Sequence, residues 1–283
     1  MNTNIEKSNF EIAIVGGAGF LGSRISKRLS KRNEFFKIYD IKKNQDNQCI
    51  YIDVEDQGSL DQLSNSDIII NLAAIHSDDA PTSKYYDVNV QGAENVCDAA
   101  RKYNIKKIIF TSSVAIYGFA EPNTDESGAP NYFNDYGRSK YLAEQVYRKW
   151  FDEDPENRTL VIVRPTVIFG EGNRGNVYNL LNTVAKKRFV MFGDGKNKKS
   201  MAYVENVAAF IEYSLKFNSG LHIYNYIDKP DLSMNQLTII ARKTLFNKEN
   251  IGLRLPKFLG VMIGYIADVV SQVIAKNLPI SSI

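Results

Sequence analysis

Residues 12–22 read IAIVGGAGFLG, and this run restricts the chain more than any other. Ile12, Ala13, Ile14 and Val15 have the unbroken hydrophobicity of a strand buried on both faces of a parallel sheet. The run breaks at Gly16, Gly17, Ala18 and Gly19, and Leu21, Ile25 and Leu29 then recur at helical spacing. Strand, glycine turn and helix in this order present backbone N–H groups at a helix N-terminus, and a Cβ in the turn would hold an anion away from them. Gly16, Gly19 and Gly22 follow a G-x-x-G-x-x-G spacing rather than G-x-G-x-x-G. Its place between a strand and a helix near the N-terminus points to a dinucleotide pyrophosphate. The plainer alternative is an ordinary tight turn.

The segments that follow repeat the alternation. Residues 35–41 (FFKIYDI) predict a second strand ending near Asp40, about 20 residues beyond the glycine turn, where a carboxylate binds the ribose hydroxyls of an adenine dinucleotide. A carboxylate there repels a 2′-phosphate, which favours NAD over NADP, although Lys42 and Lys43 follow closely. Asp40 could instead be a solvated strand-end acid. Residues 49–54 (CIYIDV) predict a third strand with Asp53 at its end, either accepting from the adenine amino group or serving as a turn aspartate. Residues 67–74 (DIIINLAA) predict a fourth, leading into a loop over the cofactor at the carboxyl edge of the sheet. His76 in that loop could touch the pyrophosphate or substrate, or be incidental. Residues 85–103 predict a helix in which Asn89 either fixes a neighbouring loop or is solvated, and residues 106–113 a fifth strand closing on Ser112 and Ser113. Strands alternating with helices define an α/β fold with a right-handed, doubly wound parallel sheet.

The bulk properties agree. A chain of 283 residues, 44% hydrophobic and 24% charged, can bury the core of one large domain or two intimate ones. A net charge of +3 is too slight for a polyanion-binding protein, so Lys196–Lys199 reads as solvated loop and no nucleic-acid partner is expected. Cys49 and Cys97 have neither metal-ligand spacing nor a disulfide framework; they read as buried thiols in a reducing compartment, with no metal site. The first residues, MNTNIEKSNFE, lack an apolar signal core, so a cytoplasmic location is expected.

Two stretches carry reactive groups: residues 111–118 (TSSVAIYG) and 136–140 (YGRSK). Tyr136 and Lys140 stand four apart and share a helix face. An ammonium beside a phenol favours the phenolate, so the pair predicts a Tyr136 pKa below its usual value near ~10. Such a tyrosine can take a proton from a hydroxyl and return it. Ser113, at a strand end over the same site, can hydrogen-bond the reacting oxygen. Alone, the Tyr/Lys spacing is a common surface pair. Behind a glycine turn, an acidic strand end and a strand closing on serine, it is not.

With these residues the chain resembles the extended short-chain dehydrogenase/reductases, in the NAD-dependent sugar epimerase/dehydratase branch. The resemblance implies a catalytic triad of Ser113, Tyr136 and Lys140. It implies that Gly16, Gly19 and Gly22, with Phe20 and Leu21, hold the pyrophosphate, Asp40 the ribose, and Asp53 with Val54 the adenine. Leu72, Ala73 and Ala74 line the cofactor, Tyr136 and Lys140 touch it, and the Arg164-Pro165-Thr166 loop flanks the nicotinamide through Pro165. Dehydratases of this branch place Thr-Asp-Glu where this chain has Ser113, Val114 and Ala115, so elimination of water is disfavoured and C4 epimerisation, which needs no extra acid, is favoured. Residues 76–92, 164–181, 199–207 and 224–237 resemble members that epimerise N-acetylglucosamine to N-acetylgalactosamine on an undecaprenyl-diphosphate carrier for surface polysaccharides. The alternatives are a soluble UDP-sugar 4-epimerase and a net NAD(P)-dependent reductase. Many UDP-sugar epimerases carry Arg-Asp where this chain has Lys199-Ser200.

Two domains are expected, residues 1–163 for NAD and catalysis and 164–283 mainly a substrate lobe. Arg174 and Asn176 are candidates to hold a diphosphate or sugar, through the planar donor fork in the case of the arginine. Arg174 could equally be a surface arginine. Tyr203 and the segment near Asn225 are expected in the same cleft, with His76 and Ser113. From about 253 to 280 apolar residues recur at helical spacing, without the ~20 consecutive apolar residues of a membrane span. This segment predicts an amphipathic helix at the cytoplasmic face of the inner membrane, or one packed on the lobe or a partner subunit. A homodimer is part of the family expectation.

Overall fold

In the computed structural model, residues 10–42, 48–77, 80–262 and 265 are described. Six strands, β1 (Ile12–Val15), β2 (Phe36–Asp40), β3 (Cys49–Tyr51), β4 (Ile68–Asn71), β5 (Lys107–Thr111) and β6 (Thr159–Pro165), alternate with α1 (Phe20–Lys31), α2 (Thr82–Tyr86), α3 (Gly92–Lys102) and α4 (Asp135–Asp152). After β6 come β7 (Val167–Phe169), α5 (Asn176–Ala185), β8 (Val190–Phe192), β9 (Lys198–Tyr203), α6 (Val204–Ser214), β10 (Gly220–Tyr226), β11 (Asp228–Ser233), α7 (Met234–Phe246) and β12 (Leu253–Leu255). One sheet orders β10-β6-β5-β4-β1-β2-β3, with every pair parallel. Strand order reverses between β1 and β4, so the crevice for a ligand opens where Gly16 and Leu72 leave their strands.

The pleat sorts each strand's residues onto two cores. Ala13, Val15, Ile69, Ile108, Phe110, Leu160 and Ile162 join one cluster with α3 and α4 residues such as Val96, Tyr147 and Trp150. Ile12, Ile14, Ile70, Ile109, Val161 and Val163 join the other, with Ile25 and Leu29 of α1 and Val207 and Ile211 of α6. Both faces are covered, which is why the strands are apolar throughout rather than alternating. On the second face Glu212 of α6, almost fully buried, takes Arg28 at 2.6 Å and Arg32 of α1.

Two compact units result: Met1–Gly170 with Ala202–Ile227, and Glu171–Met201 with Asp228–Ile283. The expected single cut at 163/164 is therefore corrected. The chain returns to the first unit because α6 packs on α1 and β10 adds to β6. In the second unit β12 pairs in parallel with β8, β11 runs antiparallel to β9, and α5 packs on α7. Ser233 and Gln236 start α7 with a reciprocal capping box.

Several expected boundaries move. The third strand ends at Tyr51, so Asp53 lies in a turn, where its carboxylate accepts the Glu55 N–H at 3.0 Å. The fourth ends at Asn71, where the Asn71 side chain takes the Ala73 N–H at 3.0 Å and diverts the backbone. The helix predicted over 85–103 starts at Thr82 and carries a π turn at Asp87–Gln91. Cys97 is buried but Cys49 only half so, because its edge strand is covered on one side. Lys198 and Lys199 open β9 instead of lying in a loop. Leu253–Leu255, expected within an amphipathic helix, form a strand because β8 supplies a partner. Residues 257–262 are helical. The rest of the predicted amphipathic helix, apart from residue 265, lies outside the described residues. No described helix is long and apolar enough to cross a membrane.

Candidate active site

The glycine turn is shaped by close approach. Gly16 has φ +77°, and a Cβ there would lie 2.7 Å from the Ala73 nitrogen. A Cβ on Gly22 would lie 2.5 Å from the Gly17 Cα. These two glycines let β1 and the start of α1 close on their neighbours. Gly19 differs: its Cβ would meet a single neighbour, the Gly16 oxygen at 3.2 Å. It is the N-cap of α1, no side chain caps the helix, and no acidic residue stands in its first turn. The N–H groups of Phe20 and Leu21 thus begin a helix with no side-chain cap and no acidic residue to repel an anion. Asp40 closes β2 beside this turn and accepts from Ala18 N–H at 3.1 Å and Lys42 N–H at 2.9 Å. An open helix start flanked by a strand-end carboxylate fits a dinucleotide. Leu72, Ala73 and Ala74 follow β4, half-buried, at the switch point.

Val54 is buried, with its carbonyl taken by Asn95 at 2.8 Å, so its side chain belongs to the core. The loop after β4 is held by Asn89 from the π turn. Its side chain accepts the Ile75 N–H at 2.9 Å and donates to the Ile75 carbonyl at 3.1 Å and to Ser139 Oγ at 2.9 Å. Of the two readings open for Asn89, loop fixation is the one observed. His76 is exposed.

Ser113 caps the short 3-10 turn Val114–Tyr117 and accepts the Ala115 N–H at 3.1 Å. Asn134 caps α4, accepting from Gly137 at 2.8 Å, and Tyr136 and Lys140 follow in its first turns. Gly137 lets the two elements meet, since a Cβ there would lie 2.5 Å from the Ala115 carbonyl oxygen. Ser113 and Tyr136 thereby come within hydrogen-bonding reach. Lys140 is 2% exposed, with Nζ 4.4 Å from the Phe110 ring centroid.

The electrostatics reverse one expectation. Burial pushes the Tyr136 phenol above its usual pKa, opposed by the Ser113 hydroxyl and reinforced by Tyr85. Lys140 is the group brought to neutrality. Burial lowers it to about 7 against the pull of Glu144. The Tyr/Lys spacing carries no information on desolvation, which is the larger effect here.

Arg164 also departs from expectation. It and Pro165 lie inside β6 rather than in a loop, and both are buried. The guanidinium turns to Glu144 in a fork, Nε–Oε1 2.9 Å and Nη2–Oε2 2.6 Å, and reaches the Tyr117 hydroxyl. Tyr117 donates to Asn225 Oδ1 of β10 at 2.9 Å, which assigns Asn225 to this network. Glu144 and Tyr117 were not singled out from sequence, although Glu144 stands four residues past Lys140 on the same face. Tyr203, half-buried between β9 and α6, meets the Phe169 ring in a tilted contact with centroids 5.6 Å apart. Arg174 and Asn176 belong to the second unit, both exposed, with Asn176 opening α5.

The doubly wound sheet and the glycine turn at its switch point define the class of fold in which dinucleotides bind at such a crevice. The model of the NAD dependent epimerase/dehydratase family matches residues 12–226, and the chain belongs to that family. It is 47% identical over 282 residues to the N-acetyl-alpha-D-glucosaminyl-diphospho-ditrans,octacis-undecaprenol 4-epimerase of Escherichia coli O157:H7, covering 97% of this chain and 84% of the relative. UDP-N-acetylglucosamine 4-epimerase from Bacillus cereus has a similar fold, with TM-score 0.76, 20% identity, and 88% and 85% of the two chains covered. Thermus thermophilus UDP-glucose 4-epimerase, solved with NAD, gives TM-score 0.73 at 20% identity over 87% and 86%.

Proposed function

We propose that this protein interconverts N-acetylglucosamine and N-acetylgalactosamine on an undecaprenyl-diphosphate carrier by epimerisation at C4, with NAD as cofactor. The observation that carries the reading is 47% identity, over 97% of this chain, to an epimerase of that lipid-linked sugar, in a chain that contains Ser113, Tyr136 and Lys140. Bound NAD supplies the reversible oxidation of C4. The protein's part is to move one proton at the C4 oxygen. The Tyr136 phenolate takes it and the phenol returns it. Ser113 holds the C4 oxygen while its bond order changes. Lys140 in its ammonium form favours the phenolate, and at neutral pH it stands near its own midpoint. Asp40 orients the ribose, Gly16, Gly19 and Gly22 receive the pyrophosphate with Phe20 and Leu21, and Asp53 meets the adenine. Leu72 to Ala74 and Pro165 border the cofactor.

Arg174 and Asn176 hold the sugar diphosphate in this reading, with Tyr203 and His76 toward the sugar. The exposed apolar residues Phe258, Val261, Met262 and Tyr265 support contact of the second unit with the membrane in which such a substrate resides. A homodimer, tested by sedimentation, belongs to the same reading. The second reading, a UDP-sugar 4-epimerase, is favoured by the fold neighbours. One sugar offered on both carriers separates the two: turnover confined to the lipid supports the first, and turnover confined to UDP the second. A net reductase would accumulate or consume NADH, whereas an epimerase leaves its absorbance flat.

A further inference from the structure

The buried charge pair of Glu144 and Arg164 lies outside the proton-transfer triad, yet it touches both elements that carry the triad. Glu144 is 0% exposed and Arg164 4%. Both Glu144 oxygens are occupied by the guanidinium fork. The remaining donor arm, Nη1, reaches the Tyr117 hydroxyl and, at 3.3 Å, the Glu126 carbonyl. Tyr117 closes the same one-turn helix that Ser113 opens, and Glu144 follows Lys140 by one turn and Tyr136 by two on α4. A single side chain from β6 is thus bonded to the serine-bearing turn and to the tyrosine- and lysine-bearing helix. A buried ion pair is weak evidence for stability, since an apolar replacement is often as stable. That leaves its place in the fold as the informative feature.

We propose that Arg164 and Glu144 are positioning residues for proton transfer: the guanidinium locks the Ser113 turn against the Tyr136/Lys140 helix, and the pair's balanced charge governs whether Lys140 keeps its proton. The inference rests on the functional reading given above. Glu144 acts on Lys140 directly as an anion. Arg164 acts in the opposite sense, as the cation that offsets it. Burial alone would weaken the hold of Arg164 on its proton, but Glu144 outweighs it and the guanidinium stays charged. The other titratable groups on the elements packed against α4 are Tyr85 and Tyr86 of α2, with Tyr86 donating to Asp135 at 2.7 Å, the exposed Lys84 of α2, Cys97 of α3 and Tyr117. Asp87 of the π turn and the charged residues of α3 are exposed to solvent. Tyr136 shares α4 with Lys140.

Removing either partner therefore leaves a charge of opposite sign one helical turn from Lys140, and the two removals must act in opposite directions. The test is the NMR titration of lysine side-chain 15Nζ in the NAD-bound protein, with Lys140 assigned by Lys140→Met. Glu144→Gln is expected to move the Lys140 midpoint down and Arg164→Gln to move it up, each by about one pH unit, a tenfold change in the protonated ratio. The double Gln variant returns it toward wild type. The alkaline limb of kcat moves the same way, while KM for NAD is unchanged. Arg164→Lys keeps the charge and loses the fork, so it lowers kcat without moving the midpoint. If one single Gln variant fails to fold, the direction of the shift in the other carries the charge coupling, and the kcat of Arg164→Lys carries the fork. An unmoved Lys140 midpoint in the folded single variants, a double variant displaced as far as either single one, or an Arg164→Lys protein with wild-type kcat overturns the proposal. Opposed midpoints in a protein that epimerises no sugar on either carrier would leave the charge coupling standing and remove the functional reading instead.

Discussion

The two units of the chain are held together to very different degrees. In the first, a seven-stranded sheet is covered on both faces and whole strands are buried, β6 along its full length. In the second, the buried side chains among the described residues are Val177, Val184, Met191, Thr238 and Ala241, and the strands are short. Ser113, Tyr136 and Lys140, whose proposed task is proton transfer, are carried by the well-packed unit. The lightly packed unit holds Arg174 and Asn176, whose proposed task is recognition. Rigid support for chemistry and a thinner frame for recognition is the division expected when one fold serves several substrates.

The comparison can be broken most decisively by activity. Tyr136→Phe should cut turnover by roughly 10²- to 10⁴-fold with NAD affinity and fold intact, the size of a general acid–base contribution. Arg174→Ala should chiefly raise KM for the sugar diphosphate. If Arg174→Ala lowered kcat as severely as Tyr136→Phe, the division of labour between the units would fail. Denaturation of the variants is the next check. Trp150→Ala, at a site 0% exposed in the larger core, should cost about 3–5 kcal/mol by urea titration. Val184→Ala in the second unit should cost less, on the order of 1–2 kcal/mol. Equal losses would contradict the contrast in packing.

Lys140 gives a prediction with a sign. Its pKa falls from 10.5 to about 7 on folding, so between those values the unfolded chain binds more protons than the folded one. Stability contributed through this group therefore rises as pH climbs from about 7 toward 10.5, and the burial cost is felt in full below about 7. Lys140→Met should raise stability at pH 6 by on the order of a few kcal/mol at most, read as a higher melting temperature, while abolishing turnover. Its advantage should shrink at pH 9. An advantage that grows with pH would place the lysine's folded pKa above its unfolded one. The smallest effect is at the surface: Glu153→Gln, losing a part-exposed carboxylate that Arg101 and Arg158 hold at a pKa of about 2, should cost under about 1 kcal/mol at pH 7.

The first unit was largely legible in the sequence because its signals are strong and local. Unbroken apolar runs such as Ile12–Val15 and Ile68–Asn71 announce buried parallel strands, and glycines at 16, 19 and 22 mark the turn. What was not legible depends on tertiary contacts. Asp53 falls in a turn because β3 stops at Tyr51 once β2 has no more partner groups to offer. Arg164 reads as a loop residue until Glu144 is seen opposite it. The protonation balance of Tyr136 and Lys140 depends on how much water each loses, which spacing on a helix does not encode. The return of residues 202–227 to the first unit depends on β10 finding β6, a pairing between segments 61 residues apart at Thr159 and Gly220.

The most direct test of the account uses N-acetylglucosamine bearing deuterium at C4, linked to undecaprenyl diphosphate and, in parallel, to UDP, incubated with the purified protein and NAD. The account predicts N-acetylgalactosamine on the lipid carrier with the deuterium kept at C4, no exchange with solvent, and no steady rise in NADH absorbance. Loss of the label to water, NADH accumulating in step with product, or epimerisation on UDP with none on the lipid would contradict it.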